Sequence, residues 1–392
     1  MAKVGLFFRE HWLLAVSALA ALASMVLVPP DEAYLGYFDW RTLGCLFCVL
    51  AVASAFRLMG AFDFVAHAVV ARFSQVTPVT LALVLVTAAV SMVATNDVAL
   101  IVMLPLSAAI LVRAGWVALL PVMFSLQALA ANLCGMITPF GNPQNVYLYS
   151  YYHLGLGEFL GAMGLPFAVS LVGIGGVTVL VARRFRATQG GCGSQGGAVE
   201  APALSVPLRL SRRRLVLYGA LLALAVLAVL RLVPVAVAAA VVALGLAVAD
   251  RRALAAVDWS LLATFVCFFV FAGNLARVPV LIEMLGALME QSGLLVAVGA
   301  SQIISNVPAA VLLSHFTTAW QPLLVGVNIG GAGTFVGSLA SLIAIQHFVS
   351  ARKIYPALRA EDAPTTAAFL GRFAILNFAF LAVLVLVCSM GS

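Results

Sequence analysis

The sequence predicts an all-α polytopic membrane protein of two inverted repeats, each with a re-entrant helical hairpin and a broken transmembrane helix. Three observations predict it. The 392-residue chain is 64% hydrophobic and 9% charged with mean hydropathy +1.14, too little polar surface for a soluble globule. Hydrophobic runs of roughly 17 to 25 residues recur from end to end, the length of helices that cross a hydrocarbon core and far longer than barrel strands. Two distant stretches read as copies of one device: Asn132-Leu-Cys-Gly-Met-Ile-Thr138-Pro-Phe-Gly141-Asn-Pro-Gln-Asn145 and Asn328-Ile-Gly-Gly-Ala-Gly-Thr334-Phe-Val-Gly337-Ser-Leu-Ala-Ser341. Each interrupts an apolar run with Gly, Asn and hydroxyl residues, as a helix broken inside a membrane does.

The first run, Trp12 to Val28, ends at Val28-Pro29-Pro30-Asp31 without a small-residue cleavage pattern and reads as a retained span. Arg41 to Met59 is the second span, followed by an amphipathic stretch, Ala61 to Phe73. Two shorter arms, Val79 to Ala94 and Val98 to Val112, meet at Thr95-Asn96-Asp97 and predict a hairpin. Val117 to Tyr149 carries the first break, and Phe159 to Val181 returns to Arg183, Arg184 and Arg186. Residues 1–182 thus form an N-terminal repeat, with its hairpin tip near 95–97 and helix break at 134–145. Residues 183–214, rich in Gly, Ser, Gln and Pro, read as a cytoplasmic linker. In 215–392, a pair of spans (Leu215 to Leu230, Val235 to Val248) precedes the second repeat, which opens on Asp258-Trp259 as the first opens on Asp39-Trp40. Its amphipathic stretch is Leu275 to Gln291, its hairpin tip lies near 305–308, Ser305-Asn306-Val307-Pro308, and its break spans 330–341.

Basic residues cluster at one set of span ends, which places the N-terminus in the cytoplasm, Asp39 outside and Asp258 inside. The halves are then inverted relative to each other. This distribution also accounts for the net charge of +7 without a nucleic-acid partner. The six cysteines imply no disulfide framework, and Cys45-Leu-Phe-Cys48 sits in an apolar run as packing. His67, His315 and His347 have no metal-ligand spacing, and no nucleophile–base pair appears, so no cofactor is expected and an enzyme is disfavoured. Glu158 beside Tyr147 to Tyr152 reads as an outer aromatic belt.

Broken helices expose backbone carbonyls and side-chain oxygens for a hard cation, and half-helix N-termini for an anion. The candidate cation- and substrate-binding residues are Thr95, Asn96, Asp97, Thr138, Gly141, Asn142 and Asn145 in the first half. Ser305, Asn306, Thr334, Gly337, Ser338 and Ser341 are their counterparts in the second. Sodium is placed at Asn96, Asp97, Gly141, Asn306 and Gly337. Asp97, an intramembrane carboxylate, is a cation ligand or a proton carrier, and Val307 stands in its place in the second tip. Gln127, Asn274, Gln302 and Asn377 serve as interhelical hydrogen bonders or as solute contacts.

At these residues the chain resembles the ion transporter superfamily of arsenite/antimonite permeases, NhaD-type sodium/proton antiporters, citrate transporters and divalent anion/sodium symporters. Thr95-Asn96-Asp97 with Met103-Leu104-Pro105 is similar to its first hairpin-tip motif and Ser305-Asn306-Val307-Pro308 to its second. Thr-Asn-Asp-Val-Ala-Leu, Gly-Asn-Pro-Gln-Asn and Ile-Ser-Asn-Val-Pro resemble the YbiR-type branch of bacterial inner-membrane permeases. The resemblance implies a multi-pass protein of the inner membrane that transports by an elevator-like movement, usually as a homodimer. Asp97 and Val307 replace the symporters' Thr, and Pro143-Gln144 alters their first break, which weakens the case for dicarboxylates. The leading expectation is a secondary transporter of a small anion, inorganic oxyanion or carboxylate, coupled to Na+ or H+. A cation/proton antiporter using Asp97 is the alternative, and a passive channel is disfavoured because no ring-forming selectivity filter is present.

Overall fold

In the computed structural model, which describes residues 12–189 and 211–390, those residues form helices and turns with no strand. In chain order the helices are α1 (Trp12–Leu27), α2 (Trp40–Leu58), α3 (Ala61–Val70), α4 (Val76–Val93), α5 (Asn96–Arg113), α6 (Leu120–Gly135), α7 (Pro143–Tyr151), α8 (Leu156–Gln189) and α9 (Arg212–Val229). They continue with α10 (Val235–Ala249), α11 (Arg251–Ala255), α12 (Trp259–Leu275), α13 (Pro279–Ile304), α14 (Asn306–Leu313), α15 (Trp320–Ile329), α16 (Leu339–Ile354) and α17 (Thr366–Met390). Among the described residues, seven helical stretches are long and apolar enough to cross a membrane: α2, α4, α5, α6 with its 3-10 lead, α8, α13 and α17. Most of the expected linker, together with Cys192, Lys3 and Arg9, lies outside the described residues.

The order α2 to α8 recurs as α12 to α17. Each series opens on an aspartate cap: Asp39 accepts from Thr42 N at 3.0 Å and Asp258 from Leu261 N at 3.0 Å, satisfying first-turn donors that have no intrahelical partner. The two opening helices run antiparallel. At the end of α2, Ser54 and Arg57 donate to Ala256 O, just before α12, at 3.0 and 3.3 Å. At the other end, the Tyr37 ring before α2 lies on Gly273 near the end of α12, where a methyl group would meet its Cγ at 2.5 Å. The flanking helices are exchanged: α1, which precedes the first series, packs on α12, and α10, which precedes the second, packs on α2 beside α9.

These helices make one layer, and α4 to α8 with α13 to α17 make the other. α6 is the most enclosed, with Val122 alone of its residues escaping full burial, and it packs on α4, α5, α8, α16 and α17. The layers meet where α2 lies on α7 and α12 lies on α14.

Three boundaries differ from the expected ones. The first hairpin has 18-residue arms, about 27 Å each and so nearly a bilayer core in length, because the helix runs on to Val76 through Val-Thr-Pro and on to Arg113. Its tip is nevertheless interior, with Thr95 3% and Asn96 5% exposed. The expected amphipathic stretch from Leu275 begins at Pro279 and continues through a kink at Ser292 into the second hairpin's first arm, so α13 serves as both elements. The breaks are narrower, 136–142 and 330–338, because Pro143 and Leu339 restart helices at once. The tyrosines before Glu158 also depart from an aromatic belt. Tyr147 and Tyr149 are buried, Tyr147 pairs with Ser314 at 2.7 Å, and the Glu158 carboxylate accepts from Gly155 N at 2.7 Å.

Candidate functional site

Four helices begin around one cavity. Asn96, Pro143, Asn306 and Leu339 are the first residues of α5, α7, α14 and α16, and all four line it, with Asp97, Gln144, Ser305 and Val307 beside them and Leu13, Leu261 and Phe268 of the other layer opposite. The cavity measures about 20 Å³, room for a water-sized solute. Each α-helix carries roughly half a positive charge at its N-terminus, so four such ends around one point favour an anion. Opposing them is one carboxylate: Asp97 is half-buried, and its Oδ1 is enclosed with no hydrogen-bond partner. A carboxylate oxygen enclosed in this way without a partner is costly.

Asparagines tie the segments around the two breaks to each other. Asn132 Oδ1 accepts from Asn96 Nδ2 at 3.1 Å and from the Ser338 hydroxyl at 2.9 Å, while Asn132 Nδ2 donates to Gly331 O at 3.3 Å. Reciprocally, Asn328 Nδ2 donates to Asn145 Oδ1 at 2.7 Å and Asn328 Oδ1 accepts from Gln144 Nε2 at 3.2 Å. Asn132 thus grips the second break, and Asn328 grips the first turn of α7, just after the first break.

Each hairpin is tied to its own break by the matched threonine. Thr138 donates its hydroxyl to Met92 O at 2.9 Å, and Thr334 donates to Gln302 O at 3.0 Å. At the second tip, Asn306 N donates to Gly337 O at 3.0 Å, and Ser305 adopts φ 77° and ψ 154°, a region costly for any residue with a Cβ. Around Gly135 and Gly141 oxygens gather. A methyl group on Gly135 would lie 3.1 Å from Asn142 Oδ1, 3.1 Å from Ser91 O and 3.3 Å from Ser91 Oγ. One on Gly141 would overlap Gly135 O and stand 2.6 Å from Thr138 Oγ1. Asn142 is 1% exposed and its Oδ1 has no hydrogen-bond partner.

Of the residues expected from sequence, Asn96, Asp97, Ser305 and Asn306 meet in the cavity. Thr95 is the buried cap position of α5, Gly141, Asn142, Gly337 and Ser338 lie in the break loops, and Asn145 is in the first turn of α7. Thr138 and Thr334 act as ties, and the buried Ser341 hydroxyl in α16 has no hydrogen-bond partner. Sequence reasoning left out Asn132, Asn328, Gln144 and Ser91 as site residues. The first two head the repeated device, and Ser91 stands five residues before Asn96 as Ser301 does before Asn306. Gln127 and Asn274 prove to be interhelical bonders, to Thr87 Oγ1 and Ser24 Oγ, both at 2.9 Å, and Asn377 bonds within its own helix.

The protein-family model described as Citrate transporter matches residues 4–330, most of the chain and both hairpin tips. The chain belongs to the citrate transporter family. Members of that family are membrane transporters, and so is this chain, not an enzyme. Two relatives are consistent with a membrane transporter. Inner membrane protein YbiR of Escherichia coli (strain K12) is 31% identical over 313 residues, 79% of this chain and 80% of the relative. Uncharacterized transporter MJ0456 of Methanocaldococcus jannaschii is 27% identical over 341 residues, 86% of this chain and 88% of the relative.

Proposed function

We propose that this transporter moves a small anion, an inorganic oxyanion or carboxylate, across the bacterial inner membrane, driven by Na+ or H+. The observation that carries the reading is the meeting of four helix N-termini at one cavity between the two layers. The Asp97 carboxylate beside them makes a bare anion costly, which is the physical reason for coupling: the anion enters with a cation at the break oxygens or a proton on Asp97. At about 20 Å³ the cavity is too tight for a carboxylate, so loading requires separation of the layers, in keeping with an elevator-like slide of the tip-and-break layer against α2 and α12. The antiparallel opening helices fit two inverted halves with re-entrant hairpins, the N-terminus lying in the cytoplasm. On the outer side of this arrangement lies a depression of about 520 Å³ lined by Tyr37, Arg41, Tyr151, His153, Arg277 and His315, suited to collecting anions. Tyr147, hydrogen-bonded to Ser314, lines the same depression.

A thermal-shift screen of the purified protein against inorganic oxyanions and carboxylates, with and without sodium, tests the reading. An anion that raises Tm chiefly in sodium supports symport. No response to any anion in either medium removes the anion assignment. The enclosed Asp97 Oδ1 favours a second reading, a cation/proton antiporter. Vesicles loaded with a pH dye separate the two, since sodium-driven proton movement without any anion supports the antiporter.

A further inference from the structure

Resting on the cation-coupled reading above, we propose that Gln302 closes the second half-site and that a single alkali cation binds per chain, in the first half between hairpin tip and break. The threonine ties define the equivalence. Because Thr138 bonds Met92 O and Thr334 bonds Gln302 O, Met92 and Gln302 occupy the same position in their halves.

Oxygens gather in both halves, in the second as Gly330 O, Thr334 O and Gln302 Oε1 about Gly337, and the halves differ in what occupies them. In the first half, Ser91 O, Ser91 Oγ, Thr138 Oγ1, Gly135 O and Asn142 Oδ1 lie about Gly135 and Gly141, with Asn142 Oδ1 buried and unpartnered. These are hard oxygen donors, the ligand type of alkali and alkaline-earth cations, and none belongs to a group that takes up a proton near neutral pH. The Met92 thioether offers no N–H to compete for them. In the second half the amide of Gln302 is folded into the break. Its Nε2 donates to Gly330 O at 2.7 Å and Ala332 O at 3.1 Å, and its Oε1 accepts from Thr334 N at 2.7 Å. Nearby, a methyl group on Gly331 would meet Asn306 Nδ2 at 3.1 Å, a nitrogen where the first half presents Asn142 Oδ1. Two carbonyls of the second break, Gly330 O and Ala332 O, are thus taken by a tethered N–H donor, a built-in substitute for the ion.

The test is equilibrium binding of radioactive sodium, with no anion added, to the purified full-length chain. Wild type is expected to bind one sodium per chain with a Hill coefficient near 1, Gln302→Met two. Gln302→Glu, which keeps the side chain's shape and the bond from Thr334 N but replaces the donating nitrogen by a carboxylate oxygen, is also expected to bind two. Two sodium ions on wild type, or one on both variants, would overturn the proposal while leaving cation coupling intact. No sodium on any of the three proteins would overturn sodium coupling and this proposal together.

Discussion

Ser338, at the end of the second break, donates its hydroxyl to Asn132 Oδ1, in the last turn of α6 before the first, at 2.9 Å. This bond joins segments 206 positions apart and makes the two breaks one structure. Asn132 also accepts from Asn96 and donates to Gly331 O, so Asn132→Ala removes a partner from three groups in a buried site. Leaving each unpaired costs about 1–3 kcal/mol. Asn132→Ala is therefore expected to lower Tm by several degrees and to abolish transport, whereas Asn132→Asp, which keeps the accepting oxygen, retains more stability. Thermal unfolding of the two variants checks the order; equal loss in both contradicts the role of Oδ1.

Gly141 has no room for a side chain, since a methyl group there overlaps Gly135 O and lies 2.6 Å from Thr138 Oγ1. Gly141→Ala is expected to destabilise by about 1–3 kcal/mol through overpacking and to lose sodium-dependent stabilisation. Gly36, with nothing within 4 Å of an added methyl, is the control, and Gly36→Ala should stay within about 0.5 kcal/mol of wild type. Unfolding with and without sodium reads both effects.

The tip residues give a prediction of opposite signs. Ser305 sits at φ 77°, where glycine is at ease, and Thr95 at φ −70°, where it is not favoured. Ser305→Gly should raise stability by about 1 kcal/mol by releasing backbone strain, while Thr95→Gly lowers it by about 0.5–1 kcal/mol. Destabilisation by both would show that Ser305 is unstrained. Transport should fall in Ser305→Gly despite its greater stability, because the tip loses the constraint that fixes it against Gly337.

Much of this was legible in the sequence because membrane helices follow length and polarity. The spans, the matched openings at Asp39 and Asp258 and the pairing of Thr138 with Thr334 needed no coordinates. The cross-links were less visible. A buried Asn such as Asn328 bonds whatever faces it, and its partners Gln144 and Asn145 lie more than 180 positions away, at a distance no local pattern encodes. Gln302 was ambiguous for the same reason: its amide could serve a solute or a neighbour, and only the fold brings Gly330 O and Ala332 O to it. Tyr147 misled because an aromatic run near a charged residue looks alike at a membrane interface and at a layer interface.

Outside the membrane region, Arg277 holds Asp31 through two contacts, Nη2 to Oδ2 at 2.6 Å and Nη1 to Oδ1 at 3.0 Å, joining the α1–α2 connection to the α12–α13 connection. The guanidinium lowers the Asp31 carboxyl below its ordinary value of 3.8. A lowered folded-state value means the stabilisation is complete above the unfolded value and is lost as pH falls through the folded one. The Tm difference between wild type and Asp31→Asn should be small and positive from neutral pH down to about 4 and vanish in more acid solution. High salt should shrink it at neutral pH, since the pair is exposed. A difference that grows as the solution is acidified contradicts the assignment.

On the proposed reading the two hairpin tips and two breaks form a single transport site. Proteoliposomes on a solid-supported membrane, given rapid steps of each anion in sodium, test it through the transport current. Wild type is predicted to give an anion-dependent current, and Asn96→Ala and Asn306→Ala none, with each variant present in the vesicles at wild-type level. Full current in both variants would contradict the account.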